Sequence, residues 1–189
     1  GGVVGGGCDY KFPEGISGDA LTTSITTSST YTVPSGKRLY ITNVFSWNGD
    51  LFIDGKEIVK QQNNTYDRTL YNPIIVNEGE VLSSNVTNLS VTNINGFLVD
   101  INPQIYAMTM HINATTTYVV PSNKKLFVTN LYGASTFEVN GIQISYDPNI
   151  DNRMSALPLI LDPGDQLNTP SSGTGFYFNG YLVDENYFA

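Results

Sequence analysis

The sequence predicts an all-β protein: two tandem small jelly-roll (β-sandwich) units from an internal duplication, preceded by an extended N-terminal arm. Three observations carry that prediction. First, Tyr31 to Val44 reads YTVPSGKRLYITNV and Tyr118 to Leu131 reads YVVPSNKKLFVTNL, identical at eight of fourteen positions. Second, short runs rich in Val, Ile, Thr, Tyr and Phe are separated at regular spacing by Gly, Asn, Asp and Pro, the pattern of strands and turns. Third, no stretch carries a convincing amphipathic helical period.

The repeat extends well beyond its opening phrase. LFIDG at 51–55 matches FEVNG at 137–141, PIIVNEGEVL at 73–82 matches PLILDPGDQL at 158–167, and NGFLVD at 95–100 matches NGYLVD at 179–184. The offsets fall from 87 to 86, 85 and 84, so loops shorten while the order of phrases is kept. This divides the chain into an arm at 1–28, a first unit at 29–102 and a second at 103–189.

In the first unit, β-type runs are expected at roughly 30–34, 37–46, 50–54, 56–60, 70–76, 80–84, 87–92 and 95–101. Asn48-Gly49, Asp54-Gly55, Glu78-Gly79 and Asn95-Gly96 read as turns, because Asn-Gly and Asp-Gly supply the positive φ that tight hairpins need. Asn140-Gly141, Pro163-Gly164 and Asn179-Gly180 repeat them in the second unit. In KRLYITNVF, alternation sends Leu39, Ile41 and Asn43 to one face and Tyr40, Thr42 and Val44 to the other. Leu39, Ile41, Ile53, Ile75 and Leu98, with Leu126, Val128, Val139, Ile160 and Leu182 at matched positions, are the expected core. The strand and turn order suits a small jelly roll. An immunoglobulin-like sandwich is the alternative, although its Cys and Trp markers are absent.

Composition narrows the function classes. The chain is 40% hydrophobic, enough for packed cores, but only 14% charged, so its polar surface comes mainly from Ser, Thr, Asn and Gln. Nine basic against seventeen acidic residues give a net charge of −8. Clustered cations are confined to Lys37-Arg38 and Lys124-Lys125, which argues against a nucleic-acid groove or an anionic-membrane surface. No apolar run has the twenty or so residues of a membrane-spanning helix. A single cysteine, Cys8, excludes an internal disulfide framework. The opening Gly-rich residues suggest processing. Gly5 breaks the myristoylation pattern, and seven residues ahead of Cys8 argue against a lipoprotein start.

Residues with chemical potential have plainer readings beside them. His111 is the only histidine, so no Ser-His-Asp, Cys-His or two-His metal set can be completed within one chain. The loop Asp147-Pro148-Asn149-Ile150-Asp151 starts like a calcium loop, but Pro158 stands where the closing Glu belongs. Glu78 with Glu80, and Asp162 with Asp165, are paired carboxylates of a kind glycosidases use, yet both flank a turn glycine at the same repeat position. Sequons beginning at Asn63, Asn85, Asn88 and Asn113 matter only in a eukaryotic secretory pathway. The expectation is a non-enzymatic chain with no cofactor and no metal. Trp47, Tyr66, Tyr71, Tyr132, Tyr146 and Tyr177 are candidate ligand or interface aromatics, suited to sugar faces or to protein contacts.

The arm divides into a Gly-rich start, the stretch CDYKFPEGISGDAL and a Thr/Ser run. Ordering such residues costs about 1 kcal/mol each in backbone entropy. Backbone pairing, or burial of Val3, Val4, Tyr10, Phe12, Ile16 and Leu21, offsets that cost. The expectation is an assembly arm that docks on a neighbouring subunit, with Cys8 buried or cross-linked there.

The phrases Y-x-VP-x-x-K-x-L-x-[IV]-TN, P-[IL]-I-[VL]-x-x-G and NG-[FY]-LVD, over 30–100 and 117–184, resemble small jelly-roll modules of phage head-fibre and tail-fibre proteins and of secreted surface proteins of marine bacteria. The resemblance implies a self-assembling structural subunit of a virion (spike, fibre or decoration) or of an extracellular filament, found on a virion or at the cell surface. Its partners would be copies of itself or other structural proteins of the same particle. A secreted carbohydrate-binding or adhesion module that takes surface glycans is the alternative. Viral double jelly rolls are similar in plan but usually much larger.

Overall fold

A computed structural model describes residues 9–46, 49–60, 67–86, 91–133, 136–145, 158–170 and 175–188, without the side chains of residues 67–69, 71 and 145. These residues form strands, with no helix among them. The first eight strands are β1 (Asp19–Ile25), β2 (Tyr31–Thr32), β3 (Lys37–Ser46), β4 (Leu51–Ile53), β5 (Lys56–Val59), β6 (Asp67–Val76), β7 (Val81–Ser84) and β8 (Thr92–Asp100). The second eight are β9 (Tyr106–Ile112), β10 (Tyr118–Val119), β11 (Lys124–Gly133), β12 (Phe137–Val139), β13 (Ile142–Ser145), β14 (Leu159–Leu161), β15 (Gln166–Asn168) and β16 (Phe176–Asp184).

They make four antiparallel sheets arranged as two β-sandwiches. The first sandwich pairs β1-β8-β3-β6 with β2-β7-β4-β5, and the second pairs β9-β16-β11-β14 with β10-β15-β12-β13. Numbering the second set from one gives the same two strand orders. Each sandwich buries its own apolar inner faces. Leu39, Ile41, Leu51, Ile53, Ile74 and Leu82 lie in the first core, and Leu126, Val128, Phe137, Leu161, Leu167 and Phe178 in the second. Each such side chain contributes about 1.5–3 kcal/mol on leaving water. Leu98 and Val139 are half-buried against these cores. The β4–β5 and β12–β13 hairpins are two-residue turns with both central residues left-handed, Asp54 and Gly55 at φ 47° and 75°, Asn140 and Gly141 at 54° and 74°. That geometry suits the Asp-Gly and Asn-Gly pairs found there.

Four sequence expectations are corrected. Asp19–Ile25, read as arm, is the edge strand β1, paired with β8 along its whole length. Asn95-Gly96 and Asn179-Gly180 are not turns but lie inside β8 and β16. Gly96 is needed because a Cβ there would sit 2.0 Å from the Tyr40 carbonyl oxygen, and at Gly180 2.2 Å from that of Phe127. Opposite each glycine the partner strand bulges: register slips between Ile41 and Asn43, and between Val128 and Asn130. The extra residue inverts the alternation that follows, so Val44 joins Leu39 and Ile41 in the core while Asn43 faces outward.

The fourth correction is Ile160, expected in the core and 48% exposed. Its match Ile75 is fully buried, in a third cluster between the sandwiches with Tyr40, Phe127 and Tyr181. The difference arises from unequal packing. The outer face of β9-β16-β11 lies on the β5–β6 flank of the first sandwich, whereas among the described residues no strand of the first sandwich packs in this way on the corresponding β13–β14 flank of the second.

Candidate functional site

Among the described residues, the most elaborate polar construction is the seam between the sandwiches. It begins with the bulge of β11. Because Thr129 is the extra residue, Thr129 and Asn130 both turn toward Asn179 on β16. The Thr129 hydroxyl donates to the Asn179 backbone oxygen at 3.1 Å, the Asn130 amide donates to the Thr129 hydroxyl at 3.0 Å, and the Asn179 amide donates to Thr109 on β9 at 3.0 Å. These four residues read out the free edge of β6. Ile75 donates its N–H to the Asn179 amide oxygen at 2.8 Å, and Asn179 returns a bond to the Ile75 carbonyl at 2.7 Å. Asn130 donates to the Pro73 carbonyl at 2.8 Å, and Asn72 donates to the Thr129 carbonyl at 3.1 Å.

A side-chain carboxamide thus stands in for the next strand, satisfying an edge that would otherwise be buried unpaired. Proline at position 73 suits such an edge, since only its carbonyl needs a partner. Thr109, Thr129, Asn130 and Asn179 are all buried, Asn179 completely.

The polypeptide ahead of β1 closes the seam. Phe12 packs on the stacked pair Tyr40–Phe97, with centroids at 5.7 and 5.6 Å. Tyr10 stacks on Phe127, itself stacked on Tyr181, and meets the edge of Phe188. Glu14 forms a buried ion pair with Arg38 at 2.6 Å, the two side chains 2% and 3% exposed. The Glu14 carboxylate also accepts from the Tyr40 hydroxyl at 2.8 Å and from the Asn102 N–H at 2.7 Å, and Arg38 donates to the Ile105 carbonyl at 2.8 Å. Arm, first sandwich and the connection to the second therefore meet at one carboxylate. Burial, with the Glu14 charge adding to it, pushes the Tyr40 hydroxyl far above the ordinary tyrosine range; burial does the same to Tyr181. Both remain neutral donors, the Tyr181 hydroxyl donating a hydrogen bond to the Tyr10 carbonyl at 2.6 Å.

Of the predicted arm residues, Tyr10 and Phe12 are therefore packed on this same chain, Leu21 leans on the first core, and Ile16 is 72% exposed. Val3, Val4 and Cys8 lie outside the described residues, as do Trp47, Tyr66, Tyr146 and the calcium-like loop. Tyr71 lies in β6, its side chain likewise outside. Tyr132 and Tyr177 form a row with His111, Tyr177 stacking on His111 at 4.3 Å and on Tyr132 at 6.4 Å. Tyr177 packs against the first core, so this row serves the seam. Beside it, burial and then the nearby Asp50 raise the Glu57 carboxyl.

The paired carboxylates hold turns. Glu78 accepts from the Ser35 hydroxyl and the Gly36 N–H, which lowers its pKa, Glu80 accepts from the Asn77 N–H, and Asp165 accepts from the Asp162 N–H at the matching position. Among the described residues no group of three or more His, Cys, Asp or Glu could hold a metal ion. A cleft of about 330 Å³ opens beside the seam, floored by Tyr10, Phe127 and Phe188, with Ile160, Lys125 and Glu185 around it.

Sequence reasoning missed the Thr-Asn and Asn-Gly quartets. Their signal was present: TN recurs at offset 87 and NG at offset 84, but NG was assigned to turns.

No family model matches the chain, and no curated protein does. Among solved structures it is similar to a conserved protein of unknown function from Pseudomonas aeruginosa PAO1, at TM-score 0.33 and 11% identity, covering 88% of this chain and 78% of that one. HutD from Pseudomonas fluorescens SBW25 is similar at TM-score 0.28 and 13% identity, over 87% and 76%.

Proposed function

We propose that this chain is a non-enzymatic structural protein, a self-assembling subunit of a virion surface (spike, fibre or decoration) or of an extracellular filament, built from two duplicated jelly-roll units. The identical strand order of the two sandwiches, together with the matched phrases, supports the duplication. The observation that carries the functional reading is the seam. Its polar groups go into edge capping and a buried ion pair that fix one sandwich on the other, which is what a rigid building block requires. The chain would work outside the cell or on a particle, with copies of itself or other structural proteins of that particle as partners.

The test is light scattering of the full chain across concentration, with negative-stain imaging of the heaviest fraction. Regular oligomers or filaments are expected. A monodisperse monomer at the highest soluble concentration would end this reading.

The aromatic floor of the Lys125–Glu185 cleft favours a second reading, a carbohydrate-binding or adhesion module, since sugar CH faces stack on such rings. Titration calorimetry against neutral oligosaccharides separates the two. Binding that disappears in Phe188→Ala, by a chain that stays monomeric, would favour the second.

A further inference from the structure

The seam quartet exists twice. In the first sandwich the matching residues are Thr22, Thr42, Asn43 and Asn95, and they are wired in the same way. The Thr42 hydroxyl donates to the Asn95 backbone oxygen at 3.2 Å, the Asn43 amide to the Thr42 hydroxyl at 3.1 Å, and the Asn95 amide to the Thr22 hydroxyl at 2.9 Å. The corresponding second-sandwich bonds are 3.1, 3.0 and 3.0 Å. One thing differs. Asn130 and Asn179 are buried against β6, whereas Asn43 and Asn95 face solvent.

The receiving edge is also present twice. Pro73-Ile74-Ile75 on β6 matches Pro158-Leu159-Ile160 on β14. Ile75 stands opposite Tyr40, and Ile160 opposite Phe127, its match. The N–H and carbonyl that Ile75 turns to Asn179 are therefore turned outward at Ile160 too. Pro158 is itself buried, so Ile160 is the accessible part of that edge. Next to it in the matched flank, Ile144 on β13 is 50% exposed where its match Ile58 is 1% exposed. On the quartet face of the first sandwich, Phe45 is 39% exposed at the position matching Tyr132.

We propose that the outer face of the first sandwich receives the β14 edge of a second copy of this chain, reproducing between chains the joint made within one. Asn95 spans the N–H and carbonyl of the partner copy's β14 edge, and Phe45 meets the apolar flank beside it. Phe12 already occupies the Tyr40–Phe97 row, so the contact runs along the bulge and the Phe45 end. The described residues leave one quartet face and one such edge exposed, on different sandwiches, so the contact is heterologous. Copies add head to tail into a ring or a filament according to the rotation per step. This inference rests on the self-assembly reading and names its joint.

Sedimentation velocity on the full chain tests it with two variants, Asn95→Leu and Ile160→Lys. Both side chains are exposed, and circular dichroism melts verify folding. The wild type should associate with rising concentration, and each variant alone should associate roughly tenfold more weakly or worse. An equimolar mixture of the two should form a dimer, because each blocks one end and leaves the other open. If the wild type associates and both variants match it, this joint is wrong while self-assembly stands. If the wild type stays monomeric throughout, both fall.

Discussion

Removing the Glu14 carboxylate should cost more than any surface change on this molecule. In Glu14→Ala, Arg38 keeps the Ile105 carbonyl at 2.8 Å and the Asn77 amide oxygen at 3.3 Å, but its charge loses its counter-ion in a site where it is 3% exposed. The Tyr40 hydroxyl and the Asn102 N–H lose their acceptor as well. Breaking a buried pair from one side costs about 3–5 kcal/mol, because the remaining charge has neither water nor a counter-ion to balance it. With a urea slope of roughly 2 kcal/mol per molar, the unfolding midpoint should fall by roughly 1.5–2.5 M. Urea titration followed by circular dichroism reads this directly. The double variant Glu14→Leu, Arg38→Met should lose much less than Glu14→Ala, since both charges go together. A Glu14→Ala midpoint within about 0.3 M of wild type, corresponding to roughly 0.6 kcal/mol, would refute the docking of residues 9–18 on this chain.

Matched positions should behave unequally. Ile75→Ala should cost about 2–4 kcal/mol and Ile160→Ala less than about 0.5 in the same titration, because only Ile75 leaves a cavity. Asn179→Ala should cost about 2–5 kcal/mol through the stranded N–H and carbonyl of Ile75, against less than about 1 for Asn95→Ala. Burial raises the Glu80 carboxyl above its ordinary value of 4.5, outweighing the Asn77 N–H that lowers it. The folded state therefore holds that proton more tightly than the unfolded chain. The resulting stability is present below the ordinary value and lost as pH rises through the raised one, so Glu80→Gln should flatten the melting temperature over that window. A variant profile parallel to wild type would contradict it.

The all-β character, most of the strands and their apolar faces were legible because turn chemistry and apolar alternation are local signals. β1 was not. Against β9 it keeps only Ala20, Thr22 and Ile25 identical, and its Thr/Ser content reads as linker when the β8 partner is unseen. The bulges were hidden because Thr42 and Asn43 break alternation by a single residue. Asn95-Gly96 looked like a turn because the dipeptide favours positive φ, when its glycine instead admits a neighbouring carbonyl. Ile160 was misplaced for a different reason: a repeat assigns equal environments, and the seam covers only one of the two flanks. The ion pair of Glu14 with Arg38 joins residues 24 positions apart and has no periodic signature at all.

Amide hydrogen exchange at Ile75 and Ile160 tests the central claim most directly, that one edge-capping device is used within the chain and again between chains. In dilute protein the Ile75 amide, bonded to buried Asn179, should exchange only through global unfolding, while Ile160 exchanges orders of magnitude faster. As concentration rises, Ile160 should slow toward Ile75. Equal rates in dilute protein would contradict the seam, and an Ile160 rate indifferent to concentration would contradict its reuse between chains.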